Sequence, residues 1–377
     1  MKKILITGGA GFIGSNLALT LVQKGHKVRV LDNLSKQIHG ENPLTSPLYL
    51  SIKDKVDFVL GSVNSKSDLQ NALVDIDTIV HFAAETGTGQ SMYEIQKYCE
   101  VNISGTAILL DIIANESLPI KKIIVASSRA VYGEGKYICP NHGIIYPKER
   151  LVQDLSNRSF EPKCNICNTD LTLQATDEIS MLHPTSIYGI TKLNQEQMVL
   201  TMCKSLGISG IAFRYQNVYG PGQSLSNPYT GILSIFSTRI RNNKGINIFE
   251  DGLESRDFVF IDDIVNATIS GIEIETPICE AINVGSGIST SVLTIAEKLQ
   301  ELLNIKVETQ ITGQFRLGDI RHNFADISKL NDLLFYKPTV NLELGMTRFI
   351  NWVKKEEIMA DGYEKSLEQL KNRGLLK

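Results

Sequence analysis

Long apolar runs are missing from this sequence. No stretch in its 377 residues approaches the ~18 consecutive apolar positions of a membrane span, so a helical membrane protein is not expected. An excess of either charge is missing too. Its 38 Lys and Arg against 41 Asp and Glu leave a formal charge of −3, which gives nucleic acid or an anionic membrane little to hold. Aromatic residues are few, 7% with a single Trp, and no low-complexity tract or internal repeat interrupts the chain. Six cysteines in a chain this long do not read as a disulfide framework. A secretion leader is not expected either. Lys2 and Lys3 precede Ile4-Leu5-Ile6, but Gly8, Gly9, Gly11 and Gly14 break up the apolar core that a leader needs. The expected location is the cytoplasm. With 42% hydrophobic and 21% charged residues, the composition suits a globular protein of one α/β domain and a smaller appendage, or of two domains.

What is present first is a glycine turn. Residues 3–7 read as a short apolar strand and 12–24 as an amphipathic helix. Between them lies Thr7-Gly-Gly-Ala-Gly-Phe-Ile-Gly14, with glycines at 8, 11 and 14. A second strand over 28–31 ends on Asp32. Such a turn brings backbone N–H groups to a pyrophosphate at the positive end of a helix. Asp32 then sits where a carboxylate meets adenosine ribose hydroxyls and repels a 2′-phosphate, so NAD is expected rather than NADP. A plain tight turn would explain the glycines alone; the strand, helix, second strand and terminal acid together point to a dinucleotide site. Strand and helix patterns go on alternating over 56–60, 67–73, 78–82, 98–114 and 122–126. These strands are continuous apolar runs, as buried parallel strands are. The expected fold class is α/β, a doubly wound, Rossmann-type parallel sheet. Its carboxyl edge carries His81-Phe-Ala-Ala84 and Ala126-Ser-Ser-Arg-Ala-Val-Tyr132.

Tyr188 and Lys192 stand four residues apart at the start of a helical pattern, which places phenol and ammonium on one face. Lowering a tyrosine from its ordinary pKa of about 10 to near 7 takes roughly 4 kcal/mol of preference for the phenolate. A fixed lysine charge in a dry pocket supplies part of that. The same spacing arises on many solvated helices, so the pair acquires meaning only beside a cofactor site.

Residues 136–176 interrupt the alternating pattern with Cys139-Pro-Asn-His142 and Cys164-Asn-Ile-Cys167. Two pairs with two-residue gaps fit a tetrahedral Zn²⁺ site of Cys₃His type, closed and structural, in a zinc-ribbon-like insert. Ordinary cytosolic thiols and a loop histidine are the alternative. Cys99, Cys203 and Cys279 are scattered and read as buried thiols.

Taken together, Gly8-x-x-Gly11-x-x-Gly14, Asp32, His81-x-Ala-Ala84, Asn102, Ser128, Tyr188-x-x-x-Lys192 and Arg214-Tyr-x-Asn217 resemble the extended short-chain dehydrogenase/reductase family. Within it they resemble the NAD-dependent nucleotide-sugar epimerase/dehydratase branch, over nearly the whole chain outside the insert. The resemblance implies Tyr188 as acid/base and Lys192 on the nicotinamide ribose, lowering Tyr188. It implies Ser128 on the reacting sugar hydroxyl and Asn102 as the supporting fourth member. Cofactor contacts are implied for Gly8, Gly11, Phe12, Ile13 and Gly14 at the turn, and for Asp32 and Asn33 after the second strand. They are implied as well for Ser62, Val63, Phe82, Ala83, Ala84, Asn102, Tyr188, Lys192, Tyr215 and Val218. Gly61-Ser-Val63 departs from the branch, which usually has an acid after this glycine to hold the adenine amine; Ser62 offers only a hydroxyl. Dehydratases of the branch carry an acid just after the catalytic hydroxyl residue, and its decarboxylases keep a glutamate there. Ser128-Arg-Ala130 has none, which favours simple epimerisation. Gly133-Glu-Gly-Lys-Tyr137 followed by the cysteine insert resembles the dTDP-L-rhamnose 4-epimerase-like members of the branch.

By the same resemblance, residues 1–215 form the NAD-binding domain, with the insert inside it. Residues 216–377 form a smaller substrate-binding region, parts of which near 256–285 return to the sheet. Thr86, Ser128, Asn217, Phe249, Arg256 and Arg316 are the implied contacts to a nucleotide-diphosphate sugar, with surface ion pairs as the alternative for the two arginines. The loop Asn227-Pro-Tyr-Thr-Gly231 is a further candidate contact, and Asp262 and Asp263 read as helix caps. Apolar stripes at Ile108, Leu109 and Ile112 and at Leu193, Met198 and Leu200 are those the family pairs across a homodimer as a four-helix bundle. Packing within one chain gives the same stripes. The functional expectation is an NAD-dependent nucleotide-sugar 4-epimerase. A 4-keto-sugar reductase is the main alternative, ahead of a 4,6-dehydratase or a non-catalytic NAD-binding scaffold.

Overall fold

The computed structural model describes residues 1–229 and 231–377; Thr230, inside the candidate loop 227–231, lies outside the described residues. Seven strands form the central sheet: β1 (Lys3–Thr7), β2 (Lys27–Asp32), β3 (Asp57–Leu60), β4 (Thr78–His81), β5 (Lys122–Ser128), β6 (Ser209–Tyr215) and β7 (Cys279–Val284). They lie in the order β7-β6-β5-β4-β1-β2-β3, and every pairing is parallel. The chain therefore leaves β1 in one direction to reach β2 and returns on its other side with β4. That reversal opens a crevice at the carboxyl ends of β1 and β4.

Alternation of side chains explains why these strands read as unbroken apolar runs. On one face Ile4, Ile6, Val30, Val80, Ile124, Ile211 and Phe213 pack with Leu17, Ala18 and Leu21 of α1 (Phe12–Gln23). On the other, Leu5, Leu31, Ile79, Ile123, Val125 and Ala212 pack under α2 (Lys66–Leu73), α3 (Gly105–Asn115) and α4 (Ile187–Leu206). Helix α5 (Ile261–Glu273) joins α1 on the first face. The single helix expected over 98–114 is instead a short helix, Ile95–Tyr98, a π-helical turn, Cys99–Ser104, and then α3. Leu109 and Ile112 are buried against the sheet within this chain, while Ile108, Leu193, Met198 and Leu200 are half-buried. Asp262 and Asp263 do not cap α5, whose cap residue is Phe260. Asp262 pairs with Arg348, and buried Asp263 accepts bonds from Tyr336, Thr339 and Val340, tying that loop down.

A second wall rises opposite the sheet's carboxyl edge. Its strands are Asn217–Tyr219 beside Ser255–Phe260, and Ile246–Ile248 beside Thr309–Ile311. The insert builds its own antiparallel three-stranded sheet, with Tyr137–Cys139 between Gly143–Ile145 and Thr172–Leu173. Ion pairs bind it to the second wall, Arg150 to Glu250 (2.9 Å) and Glu161 to Arg321 (2.6 Å), and Arg150 also pairs with Glu134 (3.0 Å), just beyond the turn after β5. Leu155 and Phe160 of the insert pack on Phe315 and Leu317, either side of Arg316. No helix among the described residues is long and apolar enough to cross a membrane.

At the opposite edge of the sheet, buried Lys122 caps a helix from outside it. Its Nζ donates to the carbonyls of Gly271 (2.8 Å), Ile272 (3.0 Å) and Ile274 (2.6 Å), at the end of α5, where carbonyls lack intrahelical donors. Burial pulls this ammonium down to about 8, with the neighbouring Lys2 charge acting the same way. Lys122→Met is expected to lower the unfolding free energy by roughly 1–3 kcal/mol, read from urea denaturation at unchanged m-value. An unaltered midpoint would refute the capping role.

Candidate active site

The crevice is a cavity of about 600 Å³. Every cofactor and substrate contact implied by the resemblance, Asn102 apart, lines it, and of the candidate loop 227–231 so do Pro228, Tyr229 and Gly231. The glycines at its floor have no room for side chains. Gly8 has φ +67°, and a Cβ there would lie 2.7 Å from the Ala83 nitrogen; one on Gly14 would lie 2.6 Å from the Gly8 oxygen. Asp32 holds this turn from below. Its carboxylate accepts from the Ala10 N–H (2.9 Å) and the Leu34 N–H (2.8 Å), leaving other lone pairs for a ribose. His39, which the sequence did not single out, lies 3.9 Å from the same carboxylate and is bonded to Ser46 (2.9 Å). At the adenine end, Asp68 at the start of α2 accepts from the Ser62 N–H (2.9 Å) and so braces the turn after Gly61 from behind, without lining the cavity.

At the inner end, α4 lies close against the turn after β5. A Cβ on Gly189 would sit 2.7 Å from the Ala130 oxygen, so glycine there lets the helix carry Tyr188 to Ser128. The Ser186 hydroxyl caps α4 by accepting from the Gly189 N–H (3.1 Å). Tyr188 and Ser128 both line the inner end of the cavity, and Ser128 Oγ accepts from the Ala130 N–H (3.1 Å).

The expectation that Lys192 draws Tyr188 down is not met by the protein alone. Burial pushes the Tyr188 phenol above its ordinary range, opposed by the Ser128 hydroxyl and the Arg129 charge. Lys192 is itself pulled to about 7 by burial. Its Nζ donates to Gln195 Oε1 (2.9 Å). From there a fully buried chain of polar groups crosses the sheet's edge. Gln195 donates to Thr106 Oγ1 (2.9 Å), and the Thr106 hydroxyl donates to the Asn102 carbonyl (2.6 Å). With that proton spent, His81 Nε2 must donate to Thr106 (2.9 Å), so His81 Nδ1 accepts from the Thr7 hydroxyl (2.8 Å). Burial and the Lys192 charge hold His81 down near 3, hence neutral. Sequence spacing offered no signal for Thr106 or Gln195, and for His81 only its place in a strand-end motif. Asn102, on the π-helical turn, spends its amide on the Glu85 backbone (2.7 and 3.1 Å) and Thr191 (2.9 Å). It positions α4 and the loop after β4 without lining the cavity.

On the second wall, Arg256 donates to the carbonyls of Ser255 and Arg321 (2.8 Å each) and Ile320 (2.7 Å). Arg316 pairs with Asp319 (2.6 Å) and lies over the Phe249 ring, 5.1 Å from its centroid. In the insert, Cys139, His142, Cys164 and Cys167 present ligand atoms all within 4.8 Å of one another. The Cys139 and Cys167 sulfurs are 3.6 Å apart. A tetrahedron with Zn–S bonds of about 2.3 Å places its sulfurs about 3.7 Å apart, so the donor set and spacing fit zinc.

The buried Lys192 makes stability depend on pH in a stated direction. Between about 7 and its ordinary 10.5, the unfolded chain binds a proton that the cofactor-free fold does not. Stability therefore rises with pH across that window, by at most about 1.4 kcal/mol per unit, and below it the cost is constant. Urea unfolding across the window should show this extra slope in wild type and its loss in Lys192→Met; parallel curves would disprove the shift.

A family model described as "NAD dependent epimerase/dehydratase family" matches residues 4–154 and 163–285. The dTDP-L-rhamnose 4-epimerase of Burkholderia thailandensis is 37% identical over 358 residues, 94% of this chain and 96% of that protein. Among solved structures, UDP-glucuronic acid 4-epimerase of Bacillus cereus, in complex with UDP-glucuronic acid and NAD, superposes with a TM-score of 0.75 at 27% identity, covering 94% of this chain and 99% of that one. UDP-glucose 4-epimerase of Thermotoga maritima, with UDP-glucose, gives 0.74 at 27% identity and the same coverage. With a family model running through both halves and a relative aligned almost end to end, the chain belongs to the NAD-dependent epimerase/dehydratase family.

Proposed function

We propose that the protein is a nucleotide-sugar 4-epimerase, with a dTDP-activated 6-deoxyhexose such as dTDP-L-rhamnose as substrate. The observation that carries the reaction class is the Ser128–Tyr188–Lys192 set at the inner end of the cavity, followed by Arg129 and Ala130 where elimination would need acids. The choice of sugar rests on the 37% identical relative. Bound NAD supplies a hydride acceptor that can give the hydride back. Tyr188 holds and returns the proton of the C4 hydroxyl, which Ser128 orients. Lys192, kept in place by Gln195, binds the nicotinamide ribose, and its burial keeps water from the proton's path. The net result is inversion at C4 with no net oxidation.

Purified protein given dTDP- and UDP-sugars without added cofactor is expected to interconvert a C4 epimeric pair. Tyr188→Phe should slow this by roughly 10²–10⁴-fold while retaining NAD. Net reduction of a 4-keto sugar that requires added NADH would establish the reductase reading instead.

The insert is proposed to hold one structural Zn²⁺ through Cys139, His142, Cys164 and Cys167, which suits a cytoplasmic protein whose six cysteines are all free. The half-buried Ile108, Leu193, Met198 and Leu200, with exposed Ile190 beside them, are the proposed seam of a homodimer. Purified protein should carry about one zinc per chain, absent from a Cys164→Ser/Cys167→Ser variant, and should have the solution mass of two chains. Metal-free wild type or a single-chain mass would reject the corresponding half of this.

A further inference from the structure

Arg129 entered the sequence argument only as a missing acid. The structure gives it a place of its own. It opens a short helical turn, Arg129–Tyr132, directly after Ser128, and lines the same cavity as Tyr188, Asn217 and Arg256. The turn ends on Gly133, at φ +62°, where a Cβ would lie 2.5 Å from the His183 oxygen, so its course is tightly constrained. Arg129 Nε donates to Asn217 Oδ1 (2.8 Å), which orients the guanidinium. Among the described residues it has no other hydrogen-bond partner, so both terminal nitrogens keep their donors for something else.

Of the acids on this side, Asp319 pairs with Arg316 and Glu250 with Arg150 and Arg321, while buried Glu254, which also lines the cavity, lies 3.8 Å from Arg321. Among the described residues neither Arg129 nor Arg256 has an ion-pair partner. Arg256 spends its donors on backbone carbonyls, which satisfy its hydrogen bonds and leave its charge. The two guanidiniums repel each other, and burial together with the Arg256 charge pulls Arg129 down to about 9. Asp319, Glu134 and Glu254 offset part of these charges at a distance, but none of them meets the free terminal donors of Arg129, which call for an acceptor from outside the chain. A diphosphate diester has one negative charge on each phosphate, and a guanidinium binds such oxygens through paired donors.

We infer that Arg129 is a substrate-binding residue that holds the sugar-proximal phosphate, with Arg256 on the nucleoside-proximal one. The assignment rests on the nucleotide-sugar reading above. The order follows from position: Arg129 adjoins Ser128 at the redox end, whereas Arg256 lies on the wall with Phe249 and Arg316. The phosphate that Arg129 holds is the one joined to the sugar. It is the pivot about which the sugar must turn for hydride to leave one face and return to the other. A carboxylate on the sugar itself is the other anion that an arginine here would accept, and the test separates the two.

Calorimetric titration of the full-length, NAD-loaded protein with dTDP and dTMP, and with UDP and UMP, distinguishes them. Arg129→Ala is expected to weaken the diphosphates about 10–100-fold, leave the monophosphates within about twofold, and raise KM for the sugar nucleotide. Arg129→Lys, which keeps charge without the fork, should fall between, and serves if the alanine variant does not fold. Equal loss on mono- and diphosphates, or no loss on either, overturns the assignment. So does unchanged dTDP and UDP affinity with a loss confined to a nucleotide uronate, which would make Arg129 a carboxylate site. Wild type that binds none of the four nucleotides overturns the nucleotide-sugar reading along with this one. Wild-type binding with unchanged variants overturns only Arg129.

Discussion

One buried ammonium sets the terms for the redox end of this protein. Lys192 is enclosed by protein, and an enclosed charge is tolerated only where its donors are met and its neighbours do not compete. Gln195 accepts one of its donors, Thr106 orients Gln195, and neutral His81 closes the chain back to Thr7 at the glycine turn. The strand that opens the cofactor cradle and the helix that carries Tyr188 are thereby fixed to one another through side chains alone. Burial leaves both Tyr188 and Lys192 less charged than they would be in water, so the protein by itself is a resting acid/base pair. A cationic nicotinamide ring would tip that pair toward phenolate, as nearby positive charge favours the ionised form.

The cavity divides its work between two walls of different construction. The sheet edge presents backbone, small residues and a satisfied hydrogen-bond chain. The opposite wall presents arginines braced by carbonyls, carboxylates and an aromatic face. Hydride chemistry needs the first kind of surface, dry and fixed; an anionic ligand that enters and leaves needs the second.

How much of this was legible in the sequence follows from how far apart the interacting residues lie. The glycine turn, Asp32, the alternating strands and Tyr188-x-x-x-Lys192 could be read because their geometry is set within one turn or one strand–helix unit. Their side chains then met in one cavity. The polar chain behind Lys192 could not be read, because it joins positions 7, 81, 106 and 195 across three strand crossings. Asp68 was missed for the same reason: it braces the turn after Gly61 from the first turn of α2. The π-helical turn at Asn102 was hidden by an apolar pattern that suits a continuous helix. Asp263 was read as a cap because acids near a helix start usually are, while a distant loop had stronger use for it. Arg129 shows another limit: comparison with a pattern reported what it was not, and only its free terminal donors at the cavity suggested a role for it.

The insert's footing has a consequence for how such a protein can diversify. Its ion pairs and the packing of Leu155 and Phe160 bear on Glu134, Glu250 and residues 315–321, next to Arg316 and Asp319, and make no contact with the glycine turn or the polar chain behind Lys192. Length and sequence can change in this segment, and the shape of the nucleotide end will follow, while the hydride machinery stays as it was. Ligand preference and chemical competence are thus carried by separable parts of one chain, so a lineage can revise the first without putting the second at risk.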